Sequence, residues 1–240
     1  MEKYYKELYL TDEWDKLMAA KEAGVPTVPC LPLDRCERKL TISEFPYVLE
    51  DVDNFTQNDF EKLRHRMLDI PYEIFRTARC IVREICLKDI DRLYEIYAAP
   101  EITAYMSDIH ENKEDEIKFT RKYIHNRYDV YHYGAWIVED ISSHQVIGRA
   151  GLNYKKDWDI TELSYMICKE RQHEGLAYEV CSAILSYAKD TLPLNTIYAR
   201  VNETNAASLA LINKLGFAKI GTAGQDKDGA TIIRFRLDLA

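Results

Sequence analysis

The sequence has no apolar run near the roughly 20 residues that a membrane-crossing helix requires. Its start, Met1-Glu-Lys-Tyr-Tyr, lacks both the charged and the apolar regions of a signal peptide. These absences lead to the expectation of a soluble, cytoplasmic protein with no membrane partner. Cysteine is present, but none of the six residues (Cys30, Cys36, Cys80, Cys86, Cys168, Cys181) belongs to a Cys-x-x-Cys pair, which removes the usual zinc and thiol-redox frameworks. They sit mostly in apolar runs, as buried free thiols do where thiols stay reduced. His110, His125, His132, His144 and His173 show no metal-ligand spacing, so no metal is expected. Basic charge is also short. Lysine and arginine number 32 against 40 aspartates and glutamates, a formal net charge of -8, and the Arg35 to Lys39 cluster is brief and interrupted. Nucleic acid is therefore not expected as the main partner, because phosphate binding needs a concentrated basic face. An acidic surface suits a cationic substrate such as an amine, and suits solubility equally well. No internal repeat or low-complexity tract appears.

What the chain does have is length and apolar content. Its 240 residues, 47% hydrophobic and 11% aromatic, suffice for a core or two without disulfides or metals. The first third reads as a small parallel α/β lobe. Leu8-Tyr-Leu is a short strand. Thr11-Asp12-Glu13 caps a helix with apolar positions Trp14, Leu17, Met18 and Ala20 that ends at Gly24. Val25 to Leu31 and Tyr47 to Leu49 read as strands, and Asn54 to Met67 as a helix. Pro71 ends the lobe's last helix, and the boundary is placed near residue 77.

From there the pattern gives a strand over 80–86, helices over 89–98 and 113–127, and strands over 134–140, 145–154 and 161–168. A helix over 175–191, a strand over 196–202, a helix over 205–215 and two strands near 217–223 and 230–238 complete it. One turn stands out. Gln172-His173-Glu174-Gly175-Leu176-Ala177 joins an apolar strand to a helix with apolar positions Leu176, Val180, Ile184 and Tyr187. A strand turning through glycine into a helix gathers unpaired N–H groups, and Gly175 and Ala177 let a ligand approach the backbone. Such a spot suits an anion, a pyrophosphate for example. The next helix opens at Asn205-Ala-Ala-Ser208 and closes at Gly216 before Phe217.

The two motifs together, Gln-x-x-Gly-x-Ala from Gln172 and Asn205-Ala-Ala-Ser208 with Lys214-Leu-Gly-Phe217, resemble the GNAT N-acetyltransferases over residues 78–239. The subgroup most resembled is the one that acetylates ribosomal-protein N-termini, because Ala78 to Glu84 followed by Asp89-Ile-Asp-Arg-Leu is similar to its opening strand and helix. The resemblance implies an α+β fold, a mixed central sheet with helices on both faces, in domain 78–240. The first 77 residues resemble the tail of a haloacid dehalogenase-type hydrolase, with Asp12 and Asp15 in its late acidic motif before Ala20-Lys-Glu-Ala-Gly24. That family's nucleophile strand belongs upstream of Leu8, where only seven residues stand, so a phosphatase site is not expected from this chain alone.

The GNAT resemblance implies acetyl-CoA as cosubstrate and an amine acceptor, either a small molecule or a protein N-terminus. By it, backbone N–H groups of Gln172, His173, Glu174, Gly175, Leu176 and Ala177 hold the pyrophosphate. The strand of Met166 and Ile167 pairs with the pantetheine arm, to which Asn205 also bonds. Many members place a tyrosine seven residues after that asparagine to protonate the thiolate. Here that position is Ile212, and Ser208 stands where the ribosomal-protein subgroup has a serine. Glu162, on the strand before the loop, is a candidate proton acceptor for the amine, and the alternative is a charged residue on an exposed strand end. Tyr105, Trp136, Tyr154 and Tyr165 line the acceptor site or belong to the core. Acceptor selection is expected from loops such as 99–113 and 220–230. Two other readings stand beside the transferase: a coenzyme A-sensing module without turnover, and a hydrolase-related accessory protein acting through the first lobe. A lobe that covers the acceptor groove or forms a homodimer contact is the further expectation, and the sequence leaves both open.

Overall fold

A computed structural model describes residues 2–34, 40, 44–106 and 109–239; Cys36 and the Arg35 to Lys39 cluster lie outside them. The chain divides into two compact units, residues 1–72 and 73–240.

In the first unit, β1 (Glu2–Tyr5) runs antiparallel to β2 (Leu8–Glu13), and β2 runs parallel to β3 (Thr27–Asp34). The helix between the parallel strands, α1 (Trp14–Glu22), is the crossover that a parallel pair needs. Thr11, Asp12 and Glu13 belong to β2 rather than to a helix cap. The Thr11 hydroxyl accepts the Glu13 N–H at 3.1 Å, and Glu13 precedes α1 without a side-chain cap. Leu49 makes only an isolated bridge to Cys30, so the strand expected over 47–49 does not form. The second helix, α2 (Gln57–Met67), starts later than the pattern suggests, because Thr56 and Asp59 close a reciprocal capping box there. Leu8, Leu10, Val28, Cys30, Phe60 and Leu63 form this unit's own core.

The second unit is an eight-stranded sheet. Its strands are β4 (Glu73–Arg76), β5 (Cys80–Arg83), β6 (Ala135–Asp140), β7 (Val146–Lys155), β8 (Ile160–Ile167), β9 (Thr196–Asn202), β10 (Ala218–Gln225) and β11 (Thr231–Asp238). The order across the sheet is β10-β11-β9-β8-β7-β6-β5-β4, and every neighbour is antiparallel except β8 and β9. β4, which the sequence pattern leaves with the first lobe, pairs with β5 and belongs here. Between β5 and β6 come α3 (Ile90–Tyr97), α4 (Pro100–Thr103), α5 (Lys113–Tyr123) and, after a π-helical turn over Ile124–Tyr128, α6 (Asp129–Tyr131). One helix was expected over 113–127. The wide turn instead brings buried Tyr128 inward, where its hydroxyl donates to the Ala135 carbonyl and accepts the Ile85 N–H.

α7 (Leu176–Thr191) and α8 (Ala206–Lys214) follow β8 and β9. Lys214 of α8 lies over the Tyr178 ring of α7, so the two are neighbours. Consecutive residues of β5 and β6 are buried, which requires the sheet to be covered on both faces there. Two glycines set how closely the strands meet. A Cβ on Gly151 would lie 2.0 Å from the Gly134 carbonyl, and one on Gly148 would lie 2.1 Å from that of Met166. The core gathers Trp136, Ile137, Leu152, Leu176, Ile184 and Ile197, all nearly inaccessible. Each such side chain contributes roughly 1.5–3 kcal/mol on burial.

Candidate active site

The parallel pair β8 and β9 meets at a single register, Glu162 opposite Tyr198. Beyond it β8 runs on to Ile167 and β9 to Asn202 without further pairing, so the strands part into a wedge. Peptide groups on the wedge-facing edge of β8, the stretch that includes Met166 and Ile167, are open to an added extended chain. β8 remains pinned to β7 along its other edge, from Lys155–Ile160 to Gly148–Ile167.

The wedge ends at the Gln172 to Ala177 turn. The Gln172 side-chain amide donates to the Ile167 carbonyl at 3.0 Å and ties the turn to the end of β8. His173 (φ +63) and Gly175 (φ +79) both take the left-handed conformation, which reverses the chain into α7. Gly175 is the N-cap of α7 and offers no side-chain oxygen, so the first N–H groups of the helix, from Leu176 onward, have no cap. Side chains brace this turn. Arg79 donates to the Glu174 carbonyl at 3.0 Å and pairs with Glu179 at 2.8 Å. Arg171 holds the Glu174 carboxylate at 3.0 Å and Asp140 at 2.8 Å. Glu174, an acid beside an anion-seeking turn, is thereby neutralised. Hydrogen bonds from the Ser142 hydroxyl, Arg171 and the Ser143 N–H hold the Asp140 carboxyl well below the usual carboxylate range.

On one side of the wedge stands the start of α8. The Asn205 side-chain oxygen accepts the Ser208 N–H at 3.0 Å, an ordinary N-cap. The Ser208 hydroxyl lies 2.6 Å from the Tyr165 hydroxyl, a contact that joins α8 to β8. Burial pushes the Tyr165 phenol above its ordinary range, so it keeps its proton. Ile212 is fully buried in the core.

At the other end of β8, Glu162 is 5% exposed, which rules out a free charge on an exposed strand end. It pairs with Arg200 of β9: Nη2 donates to Oε2 at 3.0 Å, while Nε lies 2.6 Å from Oε1. The Nε–H is not aimed at Oε1, and that buried oxygen receives no hydrogen bond. Arg200 in turn stacks on Trp158, 4.6 Å from the ring centroid. A cavity of about 420 Å³ opens here, lined by Trp158, Ile160, Glu162, Arg200, Ile220 and Arg234 among others.

The other expected residues scatter. Trp136 packs edge-on against Phe75 and Tyr187 in the core. Tyr154 bonds to Asp159. Tyr105 is half exposed and reaches the Thr204 carbonyl at 3.4 Å, beside the start of α8. His110, His125 and His144 each face a carboxylate, and no cluster fit for a metal ion occurs among the described residues. Cys30, Cys80, Cys86, Cys168 and Cys181 are buried free thiols. Burial raises Cys80 to about 11 and Cys181 higher still, so neither is a thiolate at neutral pH. Sequence reasoning missed Arg200, Arg234 and the pairing of Tyr165 with Ser208. The only signal was an arginine on the polar face of each alternating strand.

Residues 79–218 match the family model described as an acetyltransferase (GNAT) domain, and the chain belongs to that family. It is an acyltransferase by that membership. Among its relatives is an uncharacterized N-acetyltransferase, YoaA, of Bacillus subtilis (strain 168), 29% identical over 156 residues, which cover 64% of this chain and 88% of the relative. A second, the uncharacterized N-acetyltransferase p20 of Bacillus licheniformis, is 27% identical over 62% of this chain and 84% of its own. Of solved structures, the fold is shared with a spermidine N-acetyltransferase from Vibrio cholerae in complex with CoA and spermine (TM-score 0.57, 21% identity, 67% of this chain, 95% of that one). It is shared also with a GnaT-family acetyltransferase from Bordetella pertussis (TM-score 0.58, 19% identity, 69% and 99%). No helix among the described residues is long and apolar enough to cross a membrane.

Proposed function

We propose that this chain transfers the acetyl group of acetyl-CoA to a primary amine directly, with both substrates bound at once. The observation that carries the reading is the parting of β8 and β9 at a wedge that ends in an uncapped, glycine-led helix start. Residues Gln172 to Ala177 hold the pyrophosphate through backbone N–H groups, aided by the dipole of α7. The edge of β8 at Met166 and Ile167 takes the pantetheine arm as an added strand, and the Asn205 amide NH₂, left over from capping, bonds to it. Acetyl-CoA supplies an acyl group already activated as a thioester.

Glu162 accepts the amine's proton at Oε1, the oxygen with no hydrogen bond of its own. Arg200 holds the carboxylate in place, and Trp158 holds Arg200. At the other side of the wedge, Ser208 provides the proton for the leaving thiolate and regains one from solvent, its hydroxyl held in place by the Tyr165 hydroxyl 2.6 Å away. This pair takes the place of the tyrosine that Ile212 replaces. Bringing the two reactants together contributes up to about 7–11 kcal/mol, more than either proton transfer.

The likeness of Ala78 to Glu84 and of Ser208 to the ribosomal-protein subgroup supports a protein N-terminus as one acceptor. The first 72 residues act as an accessory lobe. Asp15 stands in the first turn of α1, where an acid favours the helix dipole, and the dehalogenase likeness adds no chemistry to the chain. A dodecameric structure is known for the Vibrio cholerae spermidine enzyme, which supports self-association, with a homodimer as the simplest form. The test of function is incubation with acetyl-CoA and a panel of primary amines, following thiol release and the mass of the amine. Acetylated amine formed only with both substrates present supports the reading. An acetylated enzyme that reacts in the amine's absence overturns direct transfer.

A further inference from the structure

The pocket around Glu162 carries more positive charge than its partners neutralise. Arg200 and Arg234 are directly opposite each other in the antiparallel β9–β11 pair, on the same sheet face as Glu162. Side chains so placed have Cβ atoms about 4.5–5.5 Å apart, and like charges there destabilise a sheet. The cavity lining holds one carboxylate, Glu162, on the far side of Arg200 from Arg234, and both of its oxygens lie against Arg200. Next along β11, Arg236 is matched by Asp238 at 2.8 Å; Arg234 has no acidic partner among the described residues. It faces the cavity with Trp158 and Ile220 as walls. A like-charge pair kept beside a cavity, with one member unneutralised, is an arrangement completed by an anion.

Resting on the transferase reading above, we infer that the acceptor is an amine that also bears an anionic group, a carboxylate or a phosphate. Its ammonium end meets the Glu162 carboxylate at the cavity wall, and its anionic end meets Arg234 and the free edge of Arg200. Glu162 and Arg234 stand on strands two spacings apart, about 10 Å at the backbone, and the reach of an arginine side chain closes that gap for a compact acceptor. A polyamine fits badly, because its second cationic end would meet two guanidiniums.

The test compares kcat/KM for matched amines: β-alanine with β-alaninamide, glycylglycine with its amide, phosphoethanolamine with ethanolamine, and spermidine apart. The expected result is at least one pair in which the anionic member is favoured by about tenfold or more. Arg234→Gln should bring that ratio to within about threefold. The first two pairs report a carboxylate and the third a phosphate. Preference for spermidine or the neutral members overturns the inference, as does a ratio that Arg234→Gln leaves unchanged. Turnover of no anionic amine by protein that binds acetyl-CoA also overturns it. Failure to bind acetyl-CoA in calorimetry defeats the transferase reading instead, and the two failures are thus told apart.

Discussion

The two ends of β8 hold charge by opposite means. Past Ile167, the turn that leads into α7 offers backbone N–H groups, oriented by left-handed residues and braced by ion pairs. Near Ile160, the pocket offers side chains: a buried carboxylate, a guanidinium stacked on indole, and a second guanidinium left unmatched. Peptide groups are the same in every sequence, so the first end suits a part of the substrate that never changes. Side chains vary, so the second end is where selection among acceptors belongs. The division predicts that each end can be disabled while the other keeps its property.

The sharpest separation comes from Glu162→Gln, which keeps the shape and removes the proposed proton acceptor. Turnover should fall by about 10²-fold or more, while acetyl-CoA affinity measured by calorimetry stays within about twofold. A variant that lost both together would show that the two ends are one site. A smaller effect is expected of Ser208→Ala, about 10- to 100-fold in kcat, and of Tyr165→Phe, a lesser loss. Because the two hydroxyls touch at 2.6 Å, the double variant should be little worse than Ser208→Ala alone. Fully multiplicative losses would argue that they act independently. Smallest is Asp140→Asn, which loosens Arg171 behind the phosphate turn. A carboxyl depressed in the folded state stabilises it above its unfolded pKa, and that support fades as pH falls through the unfolded value toward the folded one. The melting temperature of Asp140→Asn should therefore lie below that of the unsubstituted protein at neutral pH, the gap narrowing below about pH 4. A gap constant down to pH 2 would contradict the assignment.

These differences also explain what could be read in the chain itself. The proposed phosphate turn is local: strand, glycine and amphipathic helix are consecutive, so Gln172 to Ala177 stands out in one stretch of sequence. Seven of the eight strands of the large sheet are legible for the same reason, each being an alternating or continuous apolar run, and most boundaries shift by only a residue or two; the short, half-exposed β4 gives no such signal. The proposed acceptor pocket is not local. Glu162, Arg200 and Arg234 come from three strands, and only the register of β9 on both neighbours brings them to one face. Ser208 was visible as the start of a helix, but its partner Tyr165 lies 43 positions away. In the first unit, Thr11, Asp12 and Glu13 look like a cap by composition, yet strand pairing with β3 claims them first. Tertiary pairing outweighs local preference there.

The central claim is that the turn at the end of β8 binds acetyl-CoA through its backbone. It is tested most directly by calorimetric titration of the protein with acetyl-CoA beside a Gly175→Trp variant. Gly175 adopts a conformation that side chains rarely take, and a Cβ there would lie 3.8 Å from the Arg79 guanidinium, so an indole would distort the turn and the N–H groups it presents. The account predicts a dissociation constant on the order of micromolar for the protein and no measurable heat from the variant, with circular dichroism showing that the variant is folded. Absence of binding by the protein itself, or equal binding by the folded variant, would contradict it.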